Sequence, residues 1–209
     1  MTYGFLDIAA TPAVKAAQAA NGSLDFWEGF KGDRAFDRFG NAEAAFIARR
    51  DSFYMATVSE TGWPYVQHRG GPIGFLRVLD DRTIGFADFS GNRQYLTVGN
   101  TVGNDRVALF LMDYPARRRM KIFAHVELKD LAGNLELAEA LAVPGDKAKV
   151  ERTMLFHLVA FDWNCPQHIT PRFTEADIAC AVAPLHDRLS ALESENIALR
   201  AQVAKGASA

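Results

Sequence analysis

The chain is poor in cysteine. Cys165 and Cys180 are the only two in 209 residues, so no disulfide framework can staple the fold. It also lacks an excess of either charge: 23 Lys and Arg stand against 25 Asp and Glu, for a formal net charge of -2. No global positive field therefore advertises a nucleic-acid partner. Every apolar run falls far short of the ~20 residues a membrane span needs. Nor does the N-terminus carry the charged-then-apolar pattern of a secretory leader. The expectation is a soluble, cytoplasmic protein with no membrane and no nucleic acid among its partners.

Catalytic signatures are missing too. There is no G-x-S-x-G elbow, no G-x-G-x-x-G opening a helix after a strand, and no Walker-type lysine loop. In "FDWNCPQHITPRF" (161–173), Cys165-x-x-His168 has the spacing of half a metal site. A structural zinc needs four ligands, usually as two close pairs. The remaining histidines, His68, His125, His157 and His186, are scattered singly, so no metal is expected. Cys165 precedes Pro166 and has no helix N-terminus behind it to lower its pKa. Cys180, among alanines in a helical stretch, reads as a small core residue.

What is present is enough apolar material, 49% of residues, for one domain with a real core and an appendage. Thr11-Pro12 reads as an N-cap with proline at the first helical position, opening a helix that ends near Asn21-Gly22. Asn41 is placed to cap a second helix running to about Arg50. Then the texture changes to short β-branched and aromatic runs at 52–59, 64–69, 75–79, 83–89, 106–112 and 120–128. Turn residues separate them, as in Glu60-Thr61-Gly62 and Ser90-Gly91-Asn92. Six short strands at this spacing predict an antiparallel barrel or sandwich. One or two helical turns fall within 92–100, a short helix over 135–142, and a last strand over 153–163. The expected division is an extension (1–40), a barrel (41–173) and a helical tail (174–209).

The tail opens with Thr174-Glu175-Ala176-Asp177, which has capping-box form. Beyond Pro184, Leu185, Leu189, Leu192, Asn196, Leu199 and Val203 recur at steps of four and three. A single asparagine in such a seam is a device for fixing a parallel two-stranded register. An amphipathic helix lying on its own domain has the same pattern, so both readings stand.

The residues suited to chemistry sit at strand ends. "QHRGG" (67–71) closes one strand, "DFSGNRQ" (88–94) leaves another and "RRRMK" (117–121) enters a third. Each carries arginine, a planar fork of donors for phosphate, and in the first two glycine lets backbone approach a ligand. A hairpin tip in solvent would equally explain "RRRMK". Convergence of the three clusters on one anion is the sharper expectation.

With those motifs in place, residues 43–173 resemble the pyridoxamine 5'-phosphate oxidase-like superfamily of FMN-binding split β-barrels. The resemblance runs from "FIARRDSFYMATVSETGWPYVQ" through "TIGFADFSGNRQ" and "NDRVALFLMDYPARRRMKIFAHVEL" to Trp163. It looks most like the branch known as predicted flavin-nucleotide-binding proteins. The resemblance implies a six-stranded antiparallel split barrel (α+β) with flanking helices, forming a homodimer with FMN in clefts between subunits. It places Gln67, His68 and Arg69 along the flavin and ribityl chain, with Ala87 and Asp88 at the end of the next strand. Arg93 matches an arginine on the FMN phosphate, and Gln94 stands where a lysine is usual. Arg119 falls where a glutamine often reaches across the interface, while Trp163 and Arg172 match residues flanking the cofactor. Gln167 and His168, in the stiff loop after the last strand, are further candidates for flavin or substrate.

Two departures bear on the substrate. The oxidases proper carry arginine and lysine where this chain has Gln67 and Pro72, so oxidation of a B6 phosphate is not expected. The leading reading is an FMN-dependent oxidoreductase acting on a small organic molecule. The alternatives are a non-catalytic flavin, haem or deazaflavin binding or sensor module, and an interaction protein whose tail recruits a partner.

Overall fold

The computed structural model describes residues 4–29, 36–143 and 149–206. The chain divides into two units, Met1–Asp113 with Arg117–His168, and Tyr114–Ala116 with Ile169–Ala209. The first unit carries β1 (Ser52–Val58), β2 (Pro64–Gly70), β3 (Arg77–Val78), β4 (Thr83–Phe89), β5 (Arg106–Asp113), β6 (Arg118–Asp130) and β7 (Val150–Trp163). They form one antiparallel sheet in the order β2-β1-β5-β6-β7-β4-β3, the sheet of a split barrel. Helices α1 (Phe5–Ala9), α2 (Pro12–Ala20), α3 (Leu24–Glu28), α4 (Asn41–Ile47), α5 (Leu96–Gly103) and α6 (Leu135–Leu141) flank it.

The strand count is seven, not six. The seventh is the last strand expected over 153–163, which sits between β6 and β4 and pairs with both along most of its length. Conversely, the run 75–79 supplies only Arg77–Val78. Phe75 and Leu76 are 1% and 0% exposed because they turn into the core, and the Phe75 N–H donates to the Pro72 carbonyl at 2.9 Å.

Alternation explains most of the core. β1 sends Phe53, Met55 and Thr57 inward, β5 sends Val107, Leu109 and Leu111, and β6 sends Met120, Ile122, Ala124 and Val126. Side chains of period two can face one interior only if the sheet curls around it. Phe53, Phe75, Phe86 and Phe156 meet there edge-on or stacked, at centroid distances of 5.5–6.0 Å. β4 is buried on both faces, because α6 covers the outside through Leu141, with Ala87 and Leu155 beneath it. The close approach of β7 explains Gly85: a Cβ there would lie 2.7 Å from Leu155 Cδ2 and 3.0 Å from the Met154 carbonyl oxygen.

Helix ends follow the local chemistry. Thr11 Oγ1 accepts the Val14 N–H at 3.4 Å ahead of Pro12. For α4 the cap position is Gly40, one residue before the expected Asn41, because the Glu43 carboxylate reaches back to the Gly40 N–H at 3.0 Å. Buried Arg50 ties the end of this helix to β5. Its guanidinium donates to the Phe46 and Met112 carbonyls and to Asp113 Oδ2, the last at 2.8 Å.

The second unit is dominated by α7 (Glu175–Gly206). The Thr174–Asp177 capping box forms: Asp177 Oδ2 accepts the Thr174 N–H at 2.9 Å, and Thr174 Oγ1 accepts the Asp177 N–H at 3.1 Å. Cys180 is exposed, not a core residue, because it lies on a helix whose described residues are nearly all exposed.

Candidate functional site

β2 is an edge of the sheet and β4 lies next to the other edge, so no ladder joins them. Side chains do. Arg69 Nη1 donates to Asp88 Oδ1 at 2.8 Å, with the two side chains only 15% and 7% exposed. Thr97 Oγ1, on the first turn of α5, donates to Gln67 Oε1 at 2.7 Å. Between them opens a groove of about 210 Å³, lined by β2 (Tyr65, Gln67, Arg69), β4 (Asp88, Phe89), residues 91–98 and the head of β7 (Glu151, Arg152). Three arginines, Arg69, Arg93 and Arg152, face two carboxylates, Asp88 and Glu151.

The segment leading into α5 is bent for this purpose. Arg93 and Tyr95 both have left-handed backbone, φ 62° and 52°, a conformation that costs a non-glycine residue about 1–2 kcal/mol. Asn92 Oδ1 holds the turn by accepting the Gln94 N–H at 3.1 Å. Such strain persists only where surrounding structure imposes it, and it concentrates at functional sites. Its result is that α5 begins abruptly at Leu96, and Leu96, Thr97 and Val98, its first turn, line the groove. The first-turn amides of a helix have no intrahelical acceptor and carry the positive end of its dipole, which favours an anion.

Electrostatics point the same way. Arg69 Nε and Arg152 Nη1 are shielded from solvent without a hydrogen-bond partner among the described residues. Arg152 Nη1 stands 3.7 Å from Asp88 Oδ2, while Nη2 reaches Glu151 Oε2 at 3.1 Å. Tyr95 completes the wall, its hydroxyl donating to Glu151 Oε1 at 3.3 Å and its ring lying 5.2 Å from the Arg152 guanidinium. Burial pushes the Asp88 carboxyl above its ordinary range; Arg69 and Arg152 pull it back down only in part, and Glu151 adds to the rise. Asp88 is therefore an incompletely compensated counter-ion, and the arginines retain donors for an incoming anion.

Of the residues singled out from the sequence, Gln67, Arg69, Asp88, Arg93 and Gln94 line this groove. His68 alternates to the other face of β2 and meets Tyr54 edge-on at 5.5 Å. Ala87 alternates likewise and packs under α6 with Leu141 and Leu155. Arg119 lies opposite Met112 in the β5–β6 ladder, outside the groove lining, with its Nε buried and unpartnered among the described residues. Trp163 serves α4: its ring packs edge-on against Phe46 at 4.7 Å, and its Nε1–H donates to Glu43 Oε1 at 3.1 Å. Gln167 and His168 are exposed, His168 with φ 61°. Arg172 belongs to the second unit and stacks over Tyr114 at 4.9 Å. Thus two of the three arginine-bearing clusters converge within one chain, and "RRRMK" does not line the groove. Sequence reasoning missed Arg152, Glu151, Tyr95 and Thr97. A charged Glu-Arg pair at the head of an apolar strand was the available signal, but β7 starts at Val150, three residues before the expected 153.

The barrel is that of a known class. The family described as pyridoxamine 5'-phosphate oxidase matches residues 39–149. The chain belongs to this family. No curated protein matches it. Among solved structures, HupZ of Group A Streptococcus is similar over 65% of this chain and 100% of its own, at 15% identity and a TM-score of 0.49. An FMN-binding protein from Syntrophomonas wolfei subsp. wolfei is similar over 72% and 97%, at 15% identity and a TM-score of 0.44. A candidate pyridoxamine 5'-phosphate oxidase from Lactobacillus delbrueckii is similar over 58% and 91%, at 18% identity and a TM-score of 0.44. Among the described residues, no helix is long and apolar enough to cross a membrane.

Proposed function

We propose that the groove holds the phosphate end of FMN and that the protein is an FMN-dependent oxidoreductase acting on a small organic substrate. The observation that carries this reading is the meeting of Arg69, Arg93 and Arg152 with the first turn of α5 around one small groove. Arg69 Nε and Arg152 Nη1, buried and without a hydrogen-bond partner among the described residues, fit an anion, and a phosphomonoester offers several acceptor oxygens at once. When bound, the flavin supplies two-electron redox chemistry. The chain's own work is to anchor, orient and exclude water: Arg69, Arg93 and Arg152 neutralise the phosphate, and Gln67 and Thr97 hold β2 against α5.

A groove of about 210 Å³ is smaller than the ~300–1,000 Å³ that a whole ligand of this size occupies. This supports the homodimer, in which a second copy covers the remainder of the flavin and Arg119 arrives from across the interface. Pro72 offers no side-chain donor, and the proposed substrate is accordingly not a B6 phosphate.

A second reading, a flavin carrier without turnover, is supported by the exposure of Gln167 and His168, the two polar candidates in the loop after β7. Two measurements separate the readings. The full chain, titrated with FMN by calorimetry, binds it, and Arg93→Ala or Arg152→Ala weakens binding by about 1.5–3 kcal/mol, the scale of a charge-assisted bond. Unchanged affinity in both variants removes the groove from consideration. Bleaching of the bound flavin by NADH or NADPH with repeated turnover then supports the enzyme, and tight flavin that never reduces supports the carrier.

A further inference from the structure

The 32 residues of α7 span about 48 Å at 1.5 Å per residue. Along them Leu185, Leu189, Leu192, Asn196, Leu199 and Val203 lie on one stripe, and the five apolar members are 43 to 72% exposed. N-terminal to Pro184, Val182 and Ile178 continue the same repeat. Written as heptads, Val182, Leu189, Asn196 and Val203 occupy the first seam position, and Ile178, Leu185, Leu192 and Leu199 the other. Pro184 then falls on the outer face, where its ring meets no partner helix. A long helix gains most of its stability from burying such a stripe, and a seam of period 3.5 fits another seam of the same period.

The flanking charges identify the occupant. Arg188 and Glu195 lie just before the first seam positions, and Glu193 and Arg200 just after the second. None of the four has an oppositely charged residue three or four places away on its own helix, so the usual intrahelical pairing is closed to them. In a parallel, in-register pair of identical helices, each residue of the first kind faces the residue five places later on the second strand. Arg188 then meets Glu193 of the other copy, and Glu195 meets Arg200. Both pairings are attractive and both occur twice by symmetry. Asn196 faces its own counterpart, which satisfies one amide with another only when the strands are parallel and unshifted. We infer that α7 is a self-recognition element, pairing with α7 of a second copy as a parallel, in-register two-stranded coiled coil. The inference is independent of the cofactor reading.

Cross-linking of the full chain tests it, with Cys165 and Cys180 replaced by serine. Val203→Cys puts thiols face to face across the seam, within disulfide reach. Ala201→Cys puts them on the outer face. In a glutathione redox buffer the Val203→Cys chain should become a covalent dimer at least about tenfold faster than the Ala201→Cys chain. Equal rates, or no cross-link at either position, overturn the inference. So does a mixed sample in which Val203→Cys bonds only to Leu185→Cys or Leu189→Cys, the signature of antiparallel helices. Charge then tests the register. In the Val203→Cys background, a Glu193→Lys, Glu195→Lys chain co-expressed with an Arg188→Glu, Arg200→Glu chain should give mixed cross-linked dimers well above the one-half that random pairing yields. A random ratio refutes the assigned ion pairs.

Discussion

Replacing Arg69 with methionine keeps an aliphatic stem and deletes the guanidinium that lies over Phe86 and joins β2 to β4. Removing one partner of a buried ion pair costs about 3–5 kcal/mol, because the other charge is left uncompensated. Here two features reduce the loss. Arg152 remains 3.7 Å from Asp88, and Asp88, already pushed upward by burial, can take a proton. We expect a loss of about 2 kcal/mol near neutral pH, hence a fall in Tm of about 4–8 °C for a chain of this size. The pH dependence has a definite sign. A carboxyl whose folded pKa is raised penalises the fold above that pKa, and the penalty lifts as pH falls toward the ordinary value of 3.8. Losing Arg69 raises the folded pKa further, so the Tm gap between parent and variant should be widest at mildly alkaline pH and narrow on acidification. The double variant Arg69→Met, Asp88→Asn removes both charges and should regain most of the lost stability. Thermal melts from pH 5 to pH 8.5 decide the matter. A gap that does not change with pH, or a double variant less stable than Arg69→Met alone, refutes the account of Asp88 as a carboxylate held in place chiefly by Arg69.

Three further substitutions test other parts of the structure. Asp88→Asn frees Arg69 and Arg152 from an internal competitor, so FMN affinity measured by calorimetry should rise several-fold, about 1 kcal/mol; a fall would make Asp88 a ligand contact instead. Gly85→Ala forces a Cβ against Leu155 and the Met154 carbonyl and should cost about 1–3 kcal/mol in urea unfolding, whereas an unchanged midpoint would show that β7 yields freely. Glu43→Ala removes the acceptor of both the Gly40 N–H and the Trp163 Nε1–H. At about 1 kcal/mol per bond, a loss near 2 kcal/mol and a changed Trp163 emission are expected; parent-like stability with an unaltered spectrum would count against that double anchor.

Much of this protein can be read directly from its sequence, because the relevant forces are local. Period-two alternation in 52–58 and 106–113 places each side chain in or out of a barrel. Thr11-Pro12 and Thr174–Asp177 start helices through bonds spanning three residues. The arginine-bearing strand ends at 67–71 and 88–94 mark out Gln67, Arg69, Asp88, Arg93 and Gln94, which line the groove. The tertiary structure alone decided which of these meet. Arg69 and Asp88 face each other because a sheet of seven strands curls until its far edges approach. Arg152 joins them through the register of β7 on β4, in which it pairs with Asp88 itself. The same closure leaves Arg119 outside the groove lining and commits Trp163 to α4. Chain-local chemistry is set by neighbours a few residues away, whereas a site assembled from strand ends depends on curvature and register, which no short stretch of sequence contains.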